Sequence, residues 1–250
     1  MNIGLYQGAA SLAACERWQQ IVAQNIASAS EPGFRKTETS FASVLGDVTR
    51  IGSEGGFAKE IPGAMPQATA RISTQSGDLR TTNNELDFAV QGRGFFQVQK
   101  PDGALGYTRD GEFHLSADRT LVTKQGFSVL GDGGPITLKP GGGRISINAD
   151  GTLLQGETPA GKLAIYDFPD SQPLRRAGDG LLAPPEGGTP ESIERPSVLT
   201  GSLEGSNVQP LQEMVNLITI SRAYEASQRV IIANDESLDK AVQILGNPGS

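Results

Sequence analysis

Apolar residues recur at helical spacing at both ends of the chain. Near the N-terminus the recurring positions are Leu5, Ala9, Leu12, Val22 and Ile26. Near the C-terminus the members of an uninterrupted row are spaced seven residues apart, at Leu217, Tyr224, Ile231, Leu238 and Leu245. Such a row places one apolar line along a helix. We therefore predict N- and C-terminal helices that pack together in a coiled-coil-like layer.

The C-terminal helix carries a second apolar row in its first turns. Its members are Leu211, Met214, Val215 and Ile218. A helix with two apolar faces needs more than one partner surface, which indicates self-assembly. The alternative is that the two terminal helices form an antiparallel pair within one monomer and contact no other subunit.

Between Leu79 and Leu199 the pattern changes to short alternating runs separated by Asp-Gly pairs. The runs predict strands, at Leu86–Val90, Gly94–Gln99, Leu105–Thr108, Glu112–Leu115, Leu121–Thr123, Ile145–Ile147 and Leu163–Phe168. The Asp-Gly pairs at 102–103, 110–111, 132–133 and 150–151 predict hairpin turns, because these residues tolerate positive φ. The fold class predicted is α+β, mainly β, with a central antiparallel domain built as a partly open barrel or sandwich.

Breaks in these patterns divide the chain. Pro32 and Gly33 end the first helix, and Asn207, followed by Pro210 and Glu213, is typical of a helix start. From Lys36 to about Gly77 neither period is sustained. We predict a helical domain from residues 1–35 with 205–250, an extended linker over 36–78 and a β domain over 79–204.

Composition excludes several classes of protein. The net charge of −7 and a pI near 4.9 argue against a phosphate-backbone binder, so nucleic acid is not an expected partner. Cys15 is the only cysteine, which rules out an internal disulfide framework. Polar residues interrupt Met1 to Ile21, so no cleaved signal peptide is expected. No apolar run approaches the roughly 18–20 residues that span a bilayer, so membrane insertion is not expected either.

The residues that could carry chemistry are few. His114 is the only histidine, and its neighbours indicate an ordinary strand position. Asp110 and Glu112 are two apart, so on a strand they would share one face, as paired acids do in glycoside hydrolysis. A solvated strand face explains them more simply. We predict no catalytic residues, no cofactor and no metal.

Several sequence blocks resemble one family, the axial proteins of the bacterial flagellum, specifically its rod and hook components. The first block is Gln24–Arg35, which is similar to the family pattern N-N-L-A-N-x-x-T-P-G-F-[KR]. The central blocks are Asn84–Val98 and Tyr107–Phe113, similar to L-D-x-A-I-x-G-x-G-F-F-x-V and Y-T-R-x-G-x-F. The last blocks are Leu203–Val208 and Arg222–Glu225, similar to L-E-x-S-N-V and R-x-[YF]-E.

The resemblance implies a non-enzymatic structural subunit of the flagellar basal-body rod. It implies inner paired helices, an outer β domain, unfolded export through the flagellar type III apparatus and polymerisation with itself and other rod subunits. The alternative for a protein that crosses the cell envelope is a peptidoglycan-modifying enzyme. The assembly interface is predicted at Leu5, Leu12, Val22, Asn25, Ile26, Pro32, Gly33, Phe34, Asn207, Met214, Leu217, Tyr224, Ile231, Leu238 and Leu245.

Overall fold

A computed structural model describes residues 3–45, 64–148, 151–169 and 173–246 of the 250-residue chain. The chain divides into two compact units. Unit 1 comprises Met1–Ile26, Thr37–Ala70 and Pro210–Ser250, and unit 2 comprises Ala27–Lys36 and Arg71–Gln209. The chain therefore passes between the units four times.

Unit 1 contains the two predicted helices, α1 (Ile3–Ala27) and α2 (Pro210–Gly246). They pack together, as the sequence predicted. Gly8 of α1 lies so close to Ile231 of α2 that a Cβ atom at this glycine would overlap the isoleucine side chain. Val22 and Ile220 are both buried in this unit. Neither helix has a stretch apolar enough, over a sufficient length, to cross a membrane within the described residues.

The helix boundaries follow from local chemistry. α1 ends at Ala27, before Pro32, whose ring cannot continue a helix. α2 begins at Pro210, where a missing N–H costs nothing, and Glu213 supplies an acid in the first turn. The helix start predicted from Asn207, Pro210 and Glu213 therefore lies at Pro210. Asn207 precedes it by three residues, and its side chain binds other parts of the chain.

Unit 1 also contains a two-stranded ribbon of β1 (Thr37–Leu45) and β2 (Ala64–Ile72), whose last two residues belong to unit 2. Both strands lie in the segment predicted as an extended linker. The remaining strands belong to unit 2 and are short. They are β3 (Leu79–Thr81), β4 (Phe88–Gln91), β5 (Phe95–Gln99), β6 (Leu105–Thr108), β7 (Phe113–Leu115), β8 (Leu121–Thr123), β9 (Ser128–Gly131), β10 (Gly134–Pro135), β11 (Ile145–Ile147), β12 (Thr152–Gln155), β13 (Thr158–Lys162), β14 (Ile165–Asp167), β15 (Arg175–Arg176), β16 (Leu182–Ala183), β17 (Glu191–Ser192), β18 (Ser197–Thr200) and β19 (Ser202–Glu204).

The strands of unit 2 pair antiparallel, as predicted. The main sheet has the order β15-β16-β6-β5-β9-β8-β7, with β14 also on β5, β10 on β9 and β17 on β14. Three smaller sheets contain β11-β12-β13, β18-β4 and β19-β3. Within the described residues these sheets do not close into a barrel.

Two apolar cores fill unit 2, and β5 contributes to both. Adjacent strand residues point to opposite faces, so Phe96 enters the larger core and Phe95 the smaller one. In the larger core Phe96 and Phe113 meet edge to face with ring centroids 5.2 Å apart. In the smaller core Tyr107 and Phe168 pack in the same way at 4.8 Å.

The predicted turns had different outcomes. Asp102-Gly103 joins the paired strands β5 and β6, with Gly103 at a φ of 86°, and Asp132-Gly133 joins β9 to β10. The hairpin predicted at Asp110-Gly111 was wrong, because β6 pairs with β5 and β16 while β7 pairs with β8. Gly111 instead lies directly against the Phe88 carbonyl, where a side chain would not fit. Asp150 of the fourth pair lies outside the described residues.

Candidate functional site: a buried ionic junction and an exposed helix face

Three charged side chains meet in the interior of unit 2. Arg35, Arg109 and Glu204 are each at most 3% exposed. Arg109 Nη1 donates to Glu204 Oε2 at 3.0 Å, and Arg35 Nη2 lies 2.8 Å from Glu204 Oε1. One carboxylate thus faces two guanidinium groups, and the cluster keeps one uncompensated positive charge. We name these three residues the ionic junction.

The two arginines are held differently. Arg109 also donates to the backbone carbonyls of Val90 and Gly92, and its Cζ lies 5.2 Å from the centre of the Phe95 ring. Arg35 has a close ion pair, but none of its buried guanidinium nitrogens makes a hydrogen bond of good geometry to the described residues. Burial lowers the pKa of Arg109 to about 10 and also lowers the pKa of Arg35, while the charge of Glu204 opposes both shifts.

Glu204 also binds backbone from two other segments. Its Oε1 accepts the Gly77 N–H at 2.8 Å, and its carbonyl accepts the Gly33 N–H at 2.7 Å. The carboxylate therefore joins the segment after α1, the segment after β2 and the end of β6. Both carboxylate oxygens thus have charged or backbone N–H partners, as a buried carboxylate requires.

Asn207 extends the ionic junction toward the start of α2. Its Oδ1 accepts the Lys36 N–H at 2.6 Å, its Nδ2 donates to the Gln75 carbonyl at 2.8 Å, and its backbone N–H donates to the Phe34 carbonyl at 3.2 Å. Lys36 in turn accepts the Ser73 N–H at 2.9 Å. The chain passes between the units at residues 36–37, 70–71 and 209–210, and the unit 2 segments next to these three points are joined by these hydrogen bonds.

Phe34 and Gly33 fix the segment that follows α1. The Phe34 ring is buried beneath Arg176, whose Cζ lies 4.2 Å from the ring centre and whose Nη2 donates to the Arg35 carbonyl. Gly33 has a φ of 66°, and a Cβ atom there would overlap the Arg109–Asp110 peptide. Only glycine satisfies both conditions without strain.

Asp110 contributes its backbone nitrogen to the peptide that Gly33 approaches. Its Oδ1 accepts the Glu112 N–H at 3.0 Å. Burial raises the pKa of Asp110 to about 6; Glu112 and Asp87 raise it further, whereas the Glu112 N–H and Lys124 lower it. Asp110 lies before β7 and on no strand, so the shared strand face considered from the sequence does not form, although the Glu112 carboxylate is close enough to raise the pKa of Asp110. His114 lies exposed on β7, as an ordinary strand residue does.

A different surface lies on the helices of unit 1. Leu211, Met214, Val215 and Ile218 of α2 are 77%, 50%, 50% and 56% exposed. Ile220, only two positions further, is fully buried, since two residues are about 200° apart around a helix. We name the four exposed residues the α2 patch. The seven-residue row is half-buried at Leu217, Tyr224 and Ile231.

The other residues of the predicted assembly interface have these positions. Val22 and Asn25 are buried, and the Asn25 side chain makes two hydrogen bonds of 2.9 Å to the backbone of Thr37. Leu12, Ile26 and Pro32 are half-buried. The side chains of Leu5, Leu238 and Leu245 lie outside the described part of the structure. The interface as a whole stays a prediction.

Sequence reasoning did not assign the ionic junction, although its members stand inside the quoted blocks. Arg35 ends the first block, Arg109 lies in the Tyr107–Phe113 block and Glu204 in the last but one. The available signal was that each of the three lies in a block that resembles the same family. Three blocks that are remote in sequence therefore converge on one buried site.

Comparisons with known proteins identify relatives of this chain. The family model described as the flagellar hook protein FlgE/F/G D1 domain matches residues 89–155, and that of the flagellar basal body rod FlgEFG protein C-terminal region matches residues 199–244. The flagellar basal-body rod protein FlgF of Rhizobium meliloti is 36% identical over 98% of this chain and 99% of its own length. FlgF of Salmonella typhimurium is 34% identical over the same shares, and FlgG of Buchnera aphidicola from Acyrthosiphon pisum is 33% identical over 90% of this chain and 92% of its own. The chain belongs to the FlgE/F/G family of flagellar hook and basal-body rod proteins.

Proposed function

We propose that this chain is a structural, non-enzymatic subunit of the flagellar basal-body rod. Its relatives over nearly the full length are named rod proteins FlgF and FlgG. No comparison favours a peptidoglycan-modifying enzyme. Among rod proteins we assign it to FlgF, the proximal-rod subunit of the family, with the distal-rod protein as the alternative. The FlgF relatives match over 98–99% of this chain, whereas the FlgG relatives match over 87–90% of it.

The observation that carries the polymer proposal is the exposure of the α2 patch. Four large apolar side chains lie on one side of α2 and remain at least half exposed. Covering the exposed part of each side chain contributes about 1 kcal/mol, so the patch offers several kcal/mol to an interface. A contiguous apolar surface of this kind marks an interaction site.

The partners we propose for the α2 patch are neighbouring copies and other rod subunits. A patch on α2 that meets a different surface of the next subunit gives a heterologous contact, which extends into a helical polymer when it does not close into a ring. Such a polymer would form part of the drive shaft that transmits torque. The domain arrangement expected from the sequence suits this role. It has the helical segments 1–35 and 205–250 innermost, a linker over 36–78, and an outer β domain over 79–204.

Delivery to the rod completes the proposal. We infer export through the flagellar type III apparatus as an unfolded chain, without a cleaved signal peptide, to a rod that crosses the periplasm. A single cysteine suits this route because no disulfide has to form after transport. Of the predicted interface residues outside the α2 patch, the half-buried Leu217, Tyr224 and Ile231 would contribute further subunit contacts.

Charge introduced into the α2 patch tests the proposal. We expect Met214→Asp/Ile218→Asp to abolish concentration-dependent sedimentation while the circular dichroism of the monomer stays that of the wild type, because both side chains are exposed. Two aspartates at the exposed positions Gln212 and Gln228 provide the matched control for added charge. Polymers of wild-type stability from the patch variant would refute an interface at this position.

A further inference from the structure

The ionic junction joins residues that are far apart in the sequence, so each part of it needs the others to be present. Glu204 is separated from Arg109 by 95 residues and from Gly77 by 127, and Asn207 is separated from Lys36 by 171. All these partners belong to unit 2. No other acid makes an ion pair with Arg35 or Arg109 among the described residues.

Without the segment that contains Glu204, unit 2 would have to bury two guanidinium groups with no counter-charge. A buried charge that loses its partner is strongly destabilising, at a cost comparable to a large part of a domain's net stability. Arg109 would keep the carbonyls of Val90 and Gly92, but Arg35 makes no well-formed hydrogen bond that could compensate. We therefore expect the final packing of the strands around Arg109 to be unfavourable until Glu204 is in place.

We propose that Glu204 is a closing residue, which makes the folding of unit 2 conditional on the arrival of the segment 204–208. Until this segment binds, the segment after α1 and the segment after β2 lack the contacts that Glu204 and Asn207 supply. They keep the bonds that Arg176 makes to the Arg35 carbonyl and Ser73 to the Lys36 carbonyl. Folding of the β strands thus waits for the last fifth of the chain. The benefit for assembly rests on the proposed function: an exported chain would not fold before its α2 sequence is also available.

The variant Glu204→Gln isolates the charge. The glutamine Oε1 still accepts the Gly77 N–H, so the variant removes ion pairing and leaves this backbone contact in place. In hydrogen-exchange mass spectrometry of the full chain we expect amides of β4, β5 and β6 to exchange at least ~100-fold faster than in the wild type. Faster exchange limited to residues 33–36 and 75–77 would show a merely local role and would overturn the proposal.

Glu85 offers a matched control. It also pairs with an arginine, Arg144 at 3.2 Å, and accepts a backbone N–H, from Ile145 at 3.3 Å, but this pair is exposed to solvent. We expect Glu85→Gln to change exchange in β4, β5 and β6 less than ~3-fold, in line with exposed ion pairs. An effect as large as that of Glu204→Gln would mean that burial is not the cause.

A rescue variant covers the case in which Glu204→Gln does not fold. Arg35→Met/Glu204→Gln restores the wild-type net charge of the cluster and leaves Arg109 on its two carbonyls. We expect the double variant to recover at least ~10-fold of the lost protection. Failure to recover any protection would reject charge compensation as the function of Glu204.

The order of folding is measured directly by pulse-labelling hydrogen exchange while the full chain refolds. We expect amides of β4 to β6 to become protected in the same kinetic phase as those of Gly33, Gly77 and Gly205. Protection of β4 to β6 in an earlier phase would overturn the proposal. These readouts concern the monomer, whereas the α2 patch variants test polymerisation, so either proposal can fail without the other.

Discussion

At the scale of single residues, Gly33 bears two separate constraints, its positive φ and the close approach of the Arg109–Asp110 peptide. Gly103 has a positive φ of 86° but no atom near its missing side chain. Substituting Gly103 therefore tests backbone strain alone, whereas substituting Gly33 tests backbone strain together with steric overlap.

We expect Gly33→Ala to lower the free energy of unfolding of unit 2 by at least about 3 kcal/mol, and Gly103→Ala by about 1 kcal/mol. The difference arises because the alanine at 33 must displace backbone of the β6–β7 connection. Denaturant titration of both variants measures it. Equal losses would show that the peptide moves away at no cost.

Asp110 gives a pH-dependent prediction with a definite sign. Its folded pKa of about 6 is above the ordinary 3.8, so the folded state binds more protons between these values and the ionised carboxyl destabilises it above pH 6. Asp110→Asn should raise the free energy of unfolding by about 2 kcal/mol at neutral pH. We expect the gain to shrink as the pH falls through 6 and to vanish near pH 4.

Asp102 is the control for this variant. Its Oδ1 accepts the Ala104 N–H at 2.9 Å, the same side-chain turn that Asp110 makes, but at an exposed position. Asp102→Asn replaces a carboxyl by an amide in the same kind of turn and is measured beside Asp110→Asn in thermal melts between pH 4 and 8. An Asp110→Asn gain that stays constant with pH would have to come from a cause other than ionisation.

At the scale of elements, two isoleucines of α2 that are two positions apart differ fully in burial. Ile220 is fully buried and Ile218 is 56% exposed. We expect Ile220→Ala to destabilise unit 1 by about 2–4 kcal/mol through cavity formation, and Ile218→Ala by less than about 0.5 kcal/mol. Loss of helical circular dichroism on heating dilute monomer provides the measurement. Equal effects would mean that α2 is rotated from the orientation described.

Periodicity predicted the long elements because each pattern is local to its own helix or strand. The seven-residue row from Leu217 lies within α2, and the runs at Leu105–Thr108 and Ile145–Ile147 coincide with strands. The ribbon of β1 and β2 was not visible in the sequence, because neither strand alternates cleanly between apolar and polar residues.

The ionic junction could not be predicted for a different reason. Charged residues are usually exposed, and nothing local in the sequence shows that Arg35 and Glu204 are buried together. Asn207 illustrates the same limit: its type and place suggest a helix cap, yet its side chain binds Lys36 and Gln75. Long-range partners decide such positions, and a single sequence does not display them.

At the scale of the whole molecule, an apolar interface on a subunit of net charge −7 predicts how assembly responds to conditions. Raising the ionic strength from about 0.01 to about 0.15 M should strengthen polymerisation, because salt screens repulsion between like-charged subunits. Warming from the cold should also strengthen it, since apolar burial is driven by entropy near room temperature. Sedimentation at varied salt and temperature tests both, and weakening by salt would indicate an ionic interface instead.

The turn at Pro185–Gly188 is a suitable site for an inserted label. It is closed by a hydrogen bond of 2.9 Å from the Gly188 N–H to the Pro185 carbonyl. Glu186 and Gly187 are exposed there, and no described atom lies within 4 Å of the position that a Cβ atom would take at Gly187. A short epitope inserted between these two residues would disturb no packed neighbour. Antibody decoration of purified flagellar bases would then reveal in micrographs the axial level at which this subunit resides.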